Sequence, residues 1–188
     1  MQGLLRKVVA FFLDFLETIV VALSIFVVVY LFLFQPHEVK GGSMEPNFHD
    51  GEYILTDKIS YRFKSPERGE VIIFKSPTNP DIDYIKRIIG LPGDTLMVRD
   101  DSVYLNGKIL TEPYIIDKTV ILGSGFLTEG KEISVSDDRY FVMGDNRGHS
   151  ADSREFGPIS KKSIIGKALI RYWPIPYFGV IEHVNYTY

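Results

Sequence analysis

A serine hydroxyl attacks a carbonyl only when a base takes its proton. Ser43 stands in the stretch KGGSMEPNF, Lys40 to Phe48, directly behind two glycines. Glycine before a nucleophile lets the backbone approach a substrate closely, and the Ser43 amide is then available to stabilise an oxyanion. A flexible spacer would have the same composition. Among His37, His49, His149 and His183, His149 lies in a polar loop and offers a Ser-His arrangement. The other candidate base lies in DYIKRIIGLPGD, where Lys86 and Arg87 interrupt an apolar run of strand type. Neighbours along a strand point to opposite faces, so Tyr84 and Ile88 share the face of Lys86, and Ile85 and Ile89 share that of Arg87. The alternation does not say which face is buried. Arginine keeps its charge, whereas full burial lowers a lysine pKa from about 10.4 by roughly 3–5 units. Of the two, only Lys86 can become a neutral amine near physiological pH. The alternative is an edge-strand lysine that repels other edges.

A third stretch, MGDNRGHSADSREFG from Met143 to Gly157, places two Asp, two Arg, two Ser and three Gly in a loop after the strand-like RYFV. Such clusters are commonly solvated turns. Here Asp145/Arg147 and Asp152/Arg154 offer charge pairs that would hold the loop rigid. Ser150 would then present a hydroxyl to the Lys86 amine, orienting the base as a triad's third member does.

These groups need elements to position them. Thr18 to Phe34, TIVVALSIFVVVYLFLF, contains no charged residue, and the apolar run extends backward with Asp14 and Glu17 as interruptions. A run of this length suits a membrane span better than a buried core helix, being apolar on all sides. No small-x-small site follows before QPHEVK, so the segment reads as an uncleaved anchor. Arg6 and Lys7 before it, against Lys40 behind, favour a cytoplasmic N-terminus. The expected division is 1–34 as N-terminus and anchor and 35–188 as an extracytoplasmic domain. The net charge of −3 gives no reason to expect nucleic acid, and the absence of Cys excludes disulfides, thiolate metal sites and a cysteine nucleophile. Strands are expected at Glu52–Thr56, Glu70–Lys75, Asp83–Ile89 and Asp94–Arg99. Further strands follow in SVYL and KILT around the hairpin signal Asn106-Gly107, then in KEISV, RYFVMG and SIIGKALIRYW. No long amphipathic helix follows residue 40. The fold class is mainly β, a folded-over or barrel-like sheet behind one N-terminal helix.

Taken in order, GGSMEP just after an anchor, YIKRIIGLPGD and GDNRGHSADSREFG resemble the type I signal peptidases, over about Val39 to Gly166. The resemblance implies a membrane-bound serine endopeptidase that removes signal peptides from exported precursors, with no cofactor or metal. It places the nucleophile on Ser43, the general base on Lys86 and the lysine-orienting serine on Ser150. The family's supporting motif falls on Gly144, Asp145, Asp152 and Arg154. Many members carry Ser or Thr two residues before the nucleophile, where this chain has Gly41, so the oxyanion hole would rest on backbone amides. Val39, Met44, Tyr84 and Ile85 flank the dyad and are candidates to line pockets for small residues, with core packing as the alternative. Phe48, Trp173, Ile175 and Phe178 are candidates for an apolar rim that dips into lipid. Nine residues from Gln35 to Ser43 reach at most about 30 Å, keeping the serine near the membrane face. Self-cleaving repressors use a similar dyad, but carry a DNA-binding region where this chain has its apolar run. A catalytically silent, membrane-tethered β-rich module that binds exported chains is the reading from a different class.

Overall fold

The computed structural model describes residues 2–121 and 125–186. Helix α1, Gln2–Val28, continues through one wider π-type turn at Val29–Leu33. Residues Gly3–Leu33 have a mean hydropathy of 2.6 in their most apolar window, so the helix is long and apolar enough to cross a membrane. Phe34 is not part of this helix. It opens strand β1, Phe34–Glu38, which lies in the segment the sequence left as a connection. Proline removes a ladder donor and is confined to sheet edges, and β1, with Pro36 inside it, is an edge strand.

The other strands are β2 (Tyr53–Asp57), β3 (Val71–Lys75), β4 (Asp83–Gly90), β5 (Thr95–Arg99), β6 (Ser102–Leu105), β7 (Lys108–Ile109), β8 (Ile133–Ser134), β9 (Arg139–Met143), β10 (Ile159–Ser160), β11 (Ile164–Trp173) and β12 (Gly179–Val180). They form two antiparallel sheets, one in the order β1-β2-β11-β3-β4-β9-β10 with β12 beside β11, the other in the order β7-β6-β5-β8. The expected hairpin forms between β6 and β7. Asn106 and Gly107 take φ values of 51° and 79°, the left-handed pair that a tight two-residue turn requires. Among the described residues after residue 40, the α-helices are single turns, α2 (Ser60–Phe63) and α3 (Ser153–Phe156).

The large sheet curls on itself. Strands β1 and β4 are separated by β2, β11 and β3, yet His37 Nε2 lies 3.5 Å from Asp83 Oδ2. The curl buries both faces of β4. Ile85 packs with Val39, Met44, Phe48 and Ile54; Ile88 packs with Ile72, Phe74 and Val142. Ile89 joins Leu96, Val98, Leu105 and Phe141, which seats the small sheet on the end of the large one. This resolves the ambiguity of the β4 alternation, because Lys86 and Arg87 are both buried. Phe48 is buried too, beneath the Arg171 guanidinium, so it cannot belong to an apolar rim; Trp173, Ile175 and Phe178 are exposed.

Candidate active site

Lys86 sits mid-strand in β4, opposite Ile72 of β3. Ser43 is carried by the turn that follows β1. Backbone bonds from Val39 N to the Glu52 carbonyl (2.7 Å) and from Gly51 N to the Val39 carbonyl (2.9 Å) tie the base of this turn to β2. Gly41 takes a left-handed φ of 77° while its amide donates to Asp50 Oδ1 at 2.6 Å. The next residue after Ser43 hooks the turn into the core: Met44 is fully buried, and its carbonyl accepts from Asn47 and Phe48. Met44 therefore packs inside and does not line the open cleft described below.

The turn brings Ser43 Oγ to 2.7 Å from Lys86 Nζ. The second acceptor of the lysine is the Ile85 carbonyl at 2.9 Å, and its ammonium stands 5.3 Å from the centre of the Tyr84 ring. Removal from water lowers the Lys86 pKa to about 8, and Arg154 acts in the same direction, while the Asp152 and Asp145 carboxylates limit the fall. The Ser43 amide donates to no acceptor among the described residues, so it is available to an oxyanion.

The loop from Gly144 to Gly157 holds the dyad from the other side. Asn146 donates twice, from its backbone N to the Ser43 carbonyl (3.1 Å) and from Nδ2 to the Gly42 carbonyl (2.9 Å). A methyl group at Gly144 would overlap the Ser43 carbonyl and the Ser150 side chain, which is why the position needs glycine. Asp152 caps α3 and accepts from Arg154 Nε (2.9 Å), Arg154 Nη2 (2.8 Å) and the Gly144 amide (3.0 Å). Burial alone would raise the Asp152 carboxyl, but Arg154 and the Gly144 amide hold it below the usual carboxylate range. Arg154 also donates to the carbonyls of Val120 and Arg147.

One expected contact is replaced by others and one does not form. Asp145 pairs with Arg87, not Arg147, through bonds of 2.8 and 2.7 Å, and also accepts from Asn47 Nδ2 at 2.9 Å. Arg147 is buried and clasps Glu112, with 2.7 Å between Nη1 and Oε2. The Ser150 hydroxyl makes no bond to Lys86; its oxygen is buried, packed against Gly144, without a hydrogen-bond partner among the described residues. His149 is exposed and reaches Asn146, so the base facing Ser43 is Lys86.

An open cleft of about 640 Å³ runs up to the dyad. One wall is Pro36 to Lys40 and the other Asp81 to Lys86, with Ser43, Ile54, Ile73 and Ala151 completing it. Val39, Tyr84 and Ile85 thus face the cleft, and Val39 and Ile85 serve the core as well. Asn146, Asn47, Arg87 and Glu112 are the site-building residues that sequence reasoning did not assign. Asn146, Arg87 and Asn47 each lie inside a stretch singled out in the sequence, but nothing local marked their partners; Glu112 had no local signal.

The family model described as signal peptidase, peptidase S26, matches residues 12–173. A probable signal peptidase I-2 from Synechocystis is 37% identical over 171 residues, covering 88% of this chain and 75% of that protein. Signal peptidase I from Bacillus amyloliquefaciens is 39% identical over 166 residues, covering 86% and 88%. Signal peptidase IB from Staphylococcus aureus is 34% identical over 177 residues, covering 88% and 92%. A crystal structure of a signal peptidase I from Enterococcus faecalis, 35% identical, aligns over 55% of this chain and 97% of that one with a TM-score of 0.44. With the family model matching most of its length and relatives above 30% identity aligned over three quarters or more of both chains, this chain belongs to the signal peptidase family, peptidase S26.

Proposed function

We propose that Ser43 is the nucleophile and Lys86 the general base with which this chain cleaves signal peptides from precursor proteins. Membership of the family makes it a signal-peptide-cleaving serine endopeptidase. The assignment of roles to residues rests on one observation, the 2.7 Å between the buried Lys86 Nζ and the half-buried Ser43 Oγ at the head of the open cleft. Neutral Lys86 takes the Ser43 proton as the oxygen adds to the scissile carbonyl, and the Ser43 amide stabilises the oxyanion. The ammonium then returns the proton to the leaving amine, which frees the mature protein and leaves an acyl-enzyme on Ser43. Water, deprotonated by the same lysine, releases the signal peptide.

The substrate lies extended along the cleft, its backbone pairing with the walls in the manner of an added strand. Val39, Tyr84 and Ile85 limit the size of the side chains that enter. Asp145, Asp152, Arg154 and Gly144 hold the loop that fixes Ser43, and Ser150 fills the space beside it. The anchor ends at Leu33, and the catalytic part begins with β1 at Phe34. The helix crosses the bilayer with Arg6 and Lys7 on the cytoplasmic side and the dyad on the other.

The test is cleavage of a purified precursor. Ser43→Ala abolishes it and Lys86→Ala lowers it by about 10²–10⁴-fold, with the fold retained by both. Substantial activity in Ser43→Ala sinks the assignment. His149→Ala keeps most of the activity.

A further inference from the structure

A second cavity, of about 430 Å³, opens away from the dyad. Its lining includes four cationic side chains, Lys58, Arg62, Lys161 and Lys162, with Tyr61 and Ser160 between them and one acidic residue, Asp138. Arg62, Lys161 and Lys162 form no ion pair with a carboxylate among the described residues. Several like charges facing one concavity repel one another, and an anion inside it relieves that repulsion.

The position of this cavity narrows the kind of anion. Lys58 follows β2 directly, and Asp57 at the end of β2 pairs with Phe34, the first residue after the apolar helix. The Lys58 amide donates to the Leu33 carbonyl at 2.9 Å, and its Nζ to the Leu31 carbonyl at 3.0 Å. One wall of the cavity is thus fixed to the last turn of the helix, where its carbonyls leave the ladder. The single-turn helix α2, which starts two residues after Lys58, also carries Phe63, 81% exposed and next in sequence to Arg62. Clustered cations and an exposed aromatic ring within a few residues of a chain segment bonded to the end of an apolar helix suit the boundary between headgroups and acyl chains.

We propose that this cavity binds the phosphate of an anionic phospholipid headgroup, with Arg62, Lys161 and Lys162 facing the phosphate and Phe63 lying among the acyl chains. Lys58 joins the site to the anchor, so a bound lipid fixes the height of the domain above the bilayer. The site is separate from the cleft, because none of the cleft-lining residues belongs to it. The inference rests on α1 crossing a membrane. Retention of the full-length protein in membranes after an alkaline carbonate wash tests that reading by itself.

The experiment is native mass spectrometry of the full-length protein in detergent, titrated with phosphatidylglycerol or with phosphatidylcholine. The wild type is expected to retain one phosphatidylglycerol at concentrations where phosphatidylcholine is lost. Removing three cations, in R62Q/K161Q/K162Q, is expected to weaken that retention by on the order of a hundredfold. The exposed-site pair K161Q/K162Q gives an intermediate loss, and cleavage of a soluble peptide at the wild-type rate shows that both variants are folded. Equal retention of the two lipids by the wild type overturns the proposal, as does unchanged phosphatidylglycerol retention in the triple variant. Inorganic phosphate is the third arm. Displacement of the lipid by equimolar phosphate would make this a free-anion site and overturn the lipid assignment.

Discussion

Arg87 of β4, one residue from Lys86, and Asp145, two residues past the end of β9, form a two-bond ion pair of 2.8 and 2.7 Å. Both side chains are buried. The pair ties the strand that carries Lys86 to the loop that holds Ser43. Removing one member strands a charge without water, which costs about 3–5 kcal/mol. Asp145→Ala is therefore expected to destabilise the protein by that amount in denaturant titration, and to lower cleavage as well. The double variant R87M/D145L should recover much of the stability, since a well-packed apolar pair avoids the desolvation penalty. A double variant no more stable than Asp145→Ala would show that the pair contributes through something other than its charges.

Burial sets the pH at which the enzyme works. An ordinary lysine gives up its proton near 10.5, whereas Lys86 does so at about 8. As the proposed base, Lys86 would act only when neutral, so cleavage should rise with pH through about 8 and level off above it. In Lys86→Arg the rising limb should disappear together with the activity, because arginine does not deprotonate in this range. The same shift carries a stability cost. The unfolded chain binds the proton more tightly than the folded one, so stability rises with pH between about 8 and 10.5 and is lowest below 8. Lys86→Met removes a penalty on the order of 3 kcal/mol below pH 8, less the lost bond to Ser43, and should raise the melting temperature at pH 7. A fall in melting temperature in that variant would contradict the burial account.

Asn146 reaches the nucleophile turn twice, through its amide to Ser43 and through Nδ2 to Gly42. The side-chain bond is the one that mutation can remove. Asn146→Ala should leave substrate affinity nearly unchanged and reduce kcat by roughly 10–100-fold, since small displacements of reacting atoms are costly. Its melting temperature should stay within a few degrees of the wild type. An unchanged kcat would mean that the Asn146 amide, Met44 and the Asp50 bond hold the turn without the side-chain bond to Gly42.

The strands were legible because each is a short run rich in apolar and β-branched residues, bounded by Gly, Pro, Asn or Asp. Val71–Lys75, Asp83–Gly90, Thr95–Arg99 and Arg139–Met143 all fall within a residue or two of their expected bounds. β1 was not, because an edge strand with one exposed face tolerates Pro36 and polar neighbours, and so lacks an apolar signature. The pairing of the loop charges was hidden for a different reason. Asp145 and Arg147 are close in sequence, but Asp145 finds Arg87 58 residues away, and Arg147 finds Glu112 35 residues away. Charge partners are set by how the sheet curls, which short-range spacing does not encode. Met44 lay beyond sequence reasoning too, since a methionine next to a nucleophile reads equally as a pocket wall or a core residue.

The anchor and the dyad are covalently close but chemically independent. Ser43, Lys86 and every residue that bonds to them lie after residue 34. The helix meets the sheet through β1, whose register with β2 runs from Phe34 with Asp57 to Glu38 with Tyr53, and through the Lys58 bonds to Leu31 and Leu33. Removing residues 1–33 deletes those last bonds and keeps the whole β1–β2 ladder. The trimmed domain is therefore expected to fold and to cleave a soluble peptide within a few-fold of the full-length rate. On a precursor held in vesicles it should be slower by about 10²-fold or more, because the anchor confines enzyme and substrate to one surface and raises their effective concentration. The exposed Trp173, Ile175, Tyr177 and Phe178 leave the trimmed domain with an apolar surface that binds vesicles weakly, which sets a floor to the loss. The check is the ratio of full-length to trimmed activity, measured on both substrates. The same ratio on peptide and on vesicle-bound precursor would mean that the helix adds nothing at the membrane, and that the short path from Phe34 to Ser43 has some other purpose.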